Sequence, residues 1–301
     1  MRMTFHDSKA AFESHLESEG LAVKGGVIND GQIHRFHVAG DKPGTKNGWY
    51  VMHTQRISFG AFGSWRTGCW ASWREEFPDE LTASERWELQ MQMAQVREQQ
   101  RELYAQKQEE TAVRAKRMWD QAQPADPQHP YLLRKGIQPL NLRQLGDRLL
   151  VPLIDANQEL RNLQQIFPNG EKRFLTGGQV KGCYCLIDAP DLRKVLVCEG
   201  FATGATLFKA TGQSVMCAMN AGNLQSVALI ASSAAALIPG SHVVICADND
   251  HRTSGNPGIT KARKAAEASG ADLTWPSSCG DECECSDFND IFVCPRRQEV
   301  E

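Results

Sequence analysis

The stretch KVLVCEGFATGATLFKATG, residues 194–212, decides the fold. A short apolar run, Lys194 to Cys198, ends on a carboxylate, Glu199, and a glycine, and a segment of helical character follows. The arrangement recurs in HVVICADNDHR, residues 242–252, where the apolar run ends on Asp248 and Asp250. Around these two stretches the spacing predicts strand 195–198, helix 203–211, strand 214–219, helix 222–237, strand 242–247, helix 257–269 and strand 271–275. Strands alternating with helices over this length imply an α/β unit, a parallel sheet with helices packed on its faces.

In an open parallel sheet, ligands bind beyond the carboxyl ends of the strands, which is where Glu199 and the Asp248/Asp250 pair lie. Residues two apart on an extended chain point the same way, so the two aspartates act together. Three carboxylates in one cleft repel one another, and burial makes their charge costlier still. A divalent cation relieves both effects. Oxygen ligands without His or Cys suit magnesium or manganese, with substrate phosphate and water completing the shell. Gly200 and Gly204 are expected to let the backbone turn sharply into a helix whose first amides face a phosphate. An isolated Asp-x-Asp is more often a solvated turn. Its pairing with Glu199, one strand-helix-strand unit earlier, favours a metal site. Lys261, Arg263 and Lys264 follow on a helix, either steering a triphosphate or forming a solvated face.

Upstream, residues 131–182 hold eight Lys/Arg (Arg134, Lys135, Arg143, Arg148, Arg161, Lys172, Arg173, Lys181) against four acids, the basic segment of the chain. Residues 82–121 are rich in Glu, Gln, Arg, Lys, Ala and Met without Gly or Pro, which predicts one long helix. Three prolines in QPADPQHP, residues 123–130, end it. The first 75 residues predict a helix from Lys9 to Glu19 and then short hairpin strands punctuated by Asp30-Gly31, Pro43-Gly44 and Asn47-Gly48. The expected organisation is a β-rich module over 1–78, a helical linker over 79–128, a basic subdomain over 129–193 and the α/β unit over 194–301.

Aromatic and basic residues crowd the N-terminal module: Trp49, Tyr50, Phe59, Phe62, Trp65, Trp70 and Trp73 with Arg35, Lys42, Lys46, Arg56 and Arg66. Most of the aromatics are expected in the core; exposed ones would stack unpaired bases. His34, His37, His53 and Cys69 fit no common zinc spacing, and Cys279, Cys283, Cys285 and Cys294 support a small zinc clip only loosely. Zinc is therefore not expected.

With 301 residues, 41% of them hydrophobic, the chain suffices for about two domains. It contains no apolar run long enough to span a bilayer and no apolar leader, so a cytoplasmic location away from membranes is expected. Cys198, Cys217 and Cys246 sit in apolar runs, where reduced thiols behave as small hydrophobes. A net charge of −3 excludes a uniformly basic coat but not nucleic acid, since affinity follows local phosphate contacts.

VLVCEGFATGATL, MNAGNL, VVICADND and DFND resemble the Toprim domain of topoisomerases and primases, especially phage and plasmid (mobile-element) DNA primases. HPYLLRKGI and the 147–178 segment resemble the region before Toprim in such primases, and GQIHRFHVAGDKPGTKNGWYVMH resembles an N-terminal module of theirs. The resemblance implies a Rossmann-like Toprim core with Glu199, Asp248 and Asp250 as the catalytic metal site and Asp287 and Asp290 assisting a second metal. It also implies synthesis of short RNA primers from ribonucleoside triphosphates on single-stranded DNA. Arg134, Lys135, Arg161, Lys172, Arg173 and Lys181 would then hold template and nucleotide, with Lys261 and Arg263 nearby.

Two departures from the replicative pattern stand out. Cys69 is the only cysteine before Cys183, so a four-cysteine ribbon near the N-terminus is ruled out; and no Gly-x-x-x-x-Gly-Lys-[Ser/Thr] loop occurs, so a helicase would be a separate partner. A metal-dependent Toprim nuclease and a non-catalytic DNA-binding accessory protein are the alternatives; a topoisomerase normally needs a much longer chain.

Overall fold

The computed structural model describes residues 5–41, 43–54, 58–66, 69–75, 82–191, 193–277 and 283–295. Lys42, Arg56 and Cys279 lie outside these residues. The chain forms two units, residues 1–106 and 107–301.

In the first unit, helix α1 (Phe5–Ser18) packs on an antiparallel meander of β1 (His34–Phe36), β2 (Gly48–Thr54), β3 (Ser58–Ser64) and β4 (Trp70–Arg74). Phe12 and Leu16 of α1 are fully buried against Tyr50, Met52 and Phe62. Of the aromatics expected there, Trp49, Tyr50, Phe59 and Phe62 are core, and Trp65 is half-buried and stacks on Tyr104 at 5.1 Å. Trp70 is 57% exposed. His34 bonds Asp30 at 2.8 Å and His37 the Thr45 carbonyl at 2.9 Å.

Helix α2 runs Ala83–Gln121, as its composition predicts, but the two units divide between Gln106 and Lys107, within it. Its C-terminal half is no spacer: Ala115 and Ala122 are buried with Leu150, Leu163 and Leu175.

The second unit then adds β5 (Gln123–Pro124), α3 (Pro130–Lys135), β6 (Arg143–Leu145), β7 (Arg148–Ile154), β8 (Leu160–Ile166) and β9 (Lys172–Phe174). Strands β5 to β9 form an antiparallel sheet in sequence order. The α/β portion follows as β10 (Cys185–Ile187), β11 (Lys194–Cys198), α4 (Phe201–Thr211), β12 (Ser214–Cys217), α5 (Leu224–Ala235), β13 (His242–Cys246), α6 (Pro257–Ser269), β14 (Asp272–Thr274) and α7 (Phe288–Val293). Its strand order is β10-β12-β11-β13-β14, parallel except for β10, an antiparallel edge strand beyond the predicted set.

Alternation along the strands explains why both faces of this sheet are covered. Leu196, Cys198, Val215, Cys217 and Cys246 face α4 and the antiparallel sheet, while Val197, Met216, Val243 and Ile245 face α5 and α6. Gly204 does not make the expected turn, because it sits inside α4, where a Cβ would collide with Cys217 Sγ. Its role is to let α4 approach the sheet closely.

Candidate active site

The chain leaves β11 through α4 toward β12 on one side, whereas it leaves β13 through α6 toward β14 on the other. A crevice therefore opens between the carboxyl ends of β11 and β13, the switch point at which such sheets bind ligands. The register Cys198↔Cys246 places Glu199 one residue and Asp248 two residues past a hydrogen-bonded pair of adjacent strands. Two carboxylates thus enter one crevice by strand pairing alone.

Their surroundings hold them there at an electrostatic cost. Burial and then the Asp250 charge push Glu199 up to about 7. Burial, then Glu199, Asp287, Asp250 and Asp290, push Asp248 up to about 8. Asp248 Oδ1 is buried and has no hydrogen-bond partner, and no hydrogen bond or ion pair engages Glu199 among the described residues. Asp250 is better provided for: its Oδ2 accepts from the Gly258 N–H at 2.9 Å. Gly258, at the start of α6, is required by that approach, since a Cβ there would lie 3.0 Å from Asp250 Oδ2 and collide with the Asp248 carbonyl.

The intervening Asn249 fixes the loop. Its N–H donates to the Ser286 carbonyl at 2.6 Å, its Nδ2 to Pro276 at 3.1 Å, and its Oδ1 accepts from Asn256 at 2.8 Å. Asn256 in turn caps α6 from a left-handed conformation. The Ser286 contact brings in α7, whose N-cap is Asp287, accepting from the Asp290 N–H at 2.8 Å. Burial raises the Asp287 pKa as well, so the acidic turn adds to the repulsion in the crevice.

A basic shelf faces these acids. Lys135, at the end of α3, bonds Asp290 Oδ1 at 3.0 Å; burial opposes its charge, but that bond and the attraction of Asp290 and Asp287 outweigh it, and its pKa is raised. Lys172 of β9 is exposed over the residue as a whole, yet desolvation of its ammonium, followed by repulsion from Lys135, lowers its pKa against the pull of Asp287, Asp248 and Asp290. Lys172 and Arg134 both lie over the Tyr131 ring, at 5.7 and 5.9 Å from its centroid. Lys261, from α6, lowers the Glu199 pKa and so flanks the crevice too.

The remaining expected basic residues are not brought to the carboxylates. Arg161 pairs with Glu109 at 3.1 Å and Glu159 at 3.5 Å and lines a separate groove with Asn141, Ile154 and Trp119. Arg173 bonds Glu171 at 2.6 Å and covers Phe167. No contact with the acids involves Lys181 or the exposed Arg263 among the described residues.

Two site residues escape a reading of the sequence. Asn289 is fully buried, and its Nδ2 reaches both the Lys135 carbonyl, at 2.8 Å, and Thr206 Oγ1, at 2.9 Å, tying α7 to α3 and α4. Tyr131, 2% exposed, carries an unpartnered hydroxyl beneath the basic shelf, and burial pushes it to about 12. The DFND and HPY motifs contain both residues, but nothing local marks either as tertiary contacts.

A hard divalent cation fits the crevice chemically. The donors are all carboxylate oxygens, one is an orphaned buried atom, and their mutual repulsion is what a cation removes.

Residues 194–295 match the family described as Toprim domain. Two proteins of Escherichia coli named DNA primase TraC are similar to most of the chain: one is 33% identical over 279 residues, 88% of this chain and 26% of its own length, the other 32% identical over 83% and 18%. The chain thus spans about a quarter or less of the curated relatives it matches. Among solved structures, the primase fragment of the bacteriophage T7 primase-helicase protein is 11% identical over 57% of this chain and 72% of its own, with a TM-score of 0.39. The switch-point carboxylates, the parallel sheet and the family match agree: residues 194–295 form a Toprim domain, in a chain similar over most of its length to the TraC DNA primases.

Proposed function

We propose that the chain is the catalytic core of a DNA-dependent RNA primase, a nucleotidyltransferase that joins ribonucleotides on single-stranded DNA. The observation that carries this reading is the convergence of Glu199, Asp248 and Asp250 at the switch point, opposite Lys135 and Lys172. The similarity to TraC, which runs through the antiparallel sheet as well as the Toprim domain, supports it.

In primer synthesis a ribose 3′-oxygen bonds to the α-phosphorus of a triphosphate, the bond to the β-phosphate breaks, and pyrophosphate leaves with the electron pair. Glu199, Asp248 and Asp250 would hold Mg²⁺ or Mn²⁺, with Asp287 assisting; the cation supplies charge stabilisation of the attacking and leaving oxygens. Lys172 would neutralise phosphate groups on the rim of the acidic crevice, and Arg134, which lies over the same Tyr131 ring and donates to the Pro168 carbonyl at 3.2 Å, would assist it. Asp290 holds Lys135 in place through their 3.0 Å bond. The deep carboxylates repel a free anion, so a triphosphate would be accepted there only with its charge neutralised.

Incorporation of labelled ribonucleotides on single-stranded DNA, with magnesium or manganese, tests the reading. Short RNA products that vanish in Asp248→Ala are expected. Shortening of the DNA without nucleotides, or DNA binding without any metal-dependent product, would overturn it in favour of a nuclease or an accessory protein. No helix among the described residues is long and apolar enough to cross a membrane.

A further inference from the structure

Apart from the exposed Cys69, the described cysteines fall into two kinds. Cys183, Cys185, Cys198, Cys217 and Cys246 belong to the apolar core on the α4 side of the sheet. There a reduced thiol packs as a small hydrophobe. Cys283 and Cys294 are equally buried, at 3% and 7% exposure, but belong to none of the hydrophobic clusters. They lie in an acidic, largely irregular tail whose described residues 275–277 and 283–287 are neither helix nor strand. Ordinary apolar packing does not account for burying thiols in such a segment.

What those thiols do face is one another. The sulfurs of Cys283, Cys285 and Cys294 all lie within 4.8 Å of each other, and no disulfide joins described cysteines. In a tetrahedral zinc site, Zn–S bonds of about 2.3 Å put the sulfurs about 3.8 Å apart. Small side-chain rotations close that gap. Cys283 and Cys285 precede the six-residue helix α7 and Cys294 directly follows it, so the three bracket a helix too short to be stable alone.

We infer that Cys283, Cys285 and Cys294 form a structural site for a soft divalent cation, zinc, separate from the carboxylate crevice. Soft thiolates select zinc over magnesium, whereas the carboxylate donors of the crevice suit magnesium or manganese. Each thiol loses its proton to solvent on binding, and a fourth donor from solvent or a neighbouring side chain completes the tetrahedron. The spacing alone does not announce this site; folding around α7 assembles it.

The location gives the site a task. Cys285 Sγ also touches the Asp290 carbonyl at 3.5 Å, and the His251 ring touches the Cys283 carbonyl at 3.1 Å. His251 follows Asp250 directly, and Asn249 bonds Ser286 within the same tail. An ion on the three thiols therefore staples α7, with Asp287 and Asp290, to the Asp248–Asp250 loop. It fixes the relative positions of the two acidic segments without touching substrate.

Metal analysis of the purified full chain, kept reduced, tests the inference. About one zinc per chain is expected in the wild type and in Cys69→Ser, an exposed thiol of the other unit, falling at least about tenfold in Cys285→Ser. Asp248→Asn should keep its zinc. Replacement by cobalt should give the near-ultraviolet thiolate-to-metal bands and strong visible bands of a tetrahedral thiolate site, a readout on the wild-type chain that does not depend on any variant folding. Zinc retained by Cys285→Ser, zinc lost by Asp248→Asn, or a cobalt-loaded wild type without thiolate bands would each overturn it. None of these readouts requires primer synthesis.

Discussion

Asp248 is the group whose perturbation has the most definite consequence. Its carboxyl is pushed up to about 8, first by burial and then by Glu199, Asp287, Asp250 and Asp290. A group whose folded pKa lies above its unfolded value binds its proton more tightly in the folded state. Stability is therefore full below the unfolded pKa, near 4, and falls as pH rises toward 8. Across that window one such carboxyl lowers stability by about 1.4 kcal/mol per pH unit. Asp248→Asn places an uncharged group of the same shape there and removes that carboxyl's share of the slope. Any pH-independent cost of the buried amide is common to all conditions, so the change with pH is the observable. Between pH 5.5 and 7.5, in a chelator, the variant should gain about 2–3 kcal/mol on the wild type, by urea denaturation of the full chain. Millimolar Mg²⁺ or Mn²⁺ should flatten the difference, because a cation relieves the repulsion in the wild type and has lost a ligand in the variant. A stability gap independent of pH, or one that ignores the cation, would refute the electrostatic account of the crevice.

Other outcomes follow from single contacts. Gly258→Ala puts a methyl 3.0 Å from Asp250 Oδ2 and should lower primer synthesis about 100-fold with helix content unchanged, checked by activity beside circular dichroism. Asn289→Ala removes two buried hydrogen bonds and should destabilise the chain by about 2 kcal/mol, measured by urea unfolding. Lys172→Ala should reduce the slope of log affinity against log salt for single-stranded DNA by about 0.7, whereas Arg161→Ala, already engaged by Glu109 and Glu159, should leave it unchanged.

Much of this protein is written locally. The apolar runs ending on Glu199 and Asp248, the helices between them and their spacing specify strand-helix alternation through side-chain periodicity alone, and parallel pairing at those ends follows from chain connectivity. The long α2 is equally legible from composition. The basic segment shows where local reading stops: Lys172 and Arg161 are alike in sequence, yet one faces the acids and the other is held by Glu109 and Glu159. That choice depends on which side of a twisted antiparallel sheet each strand presents, and on partners 52 residues away in the case of Glu109.

Asn289, Tyr131 and the cysteines around α7 were decided in the same way. Asn289 bonds Lys135, 154 residues distant, and the three sulfurs meet only once α7 has folded back between them. The sequence by itself determined the α/β core and the carboxylates at its strand ends, because hydrophobic period and strand termini are properties of neighbouring residues. Only the tertiary structure decided which cations face those carboxylates, what holds the acidic turn against them and where thiols converge, because each depends on distances between segments that the chain's order leaves free.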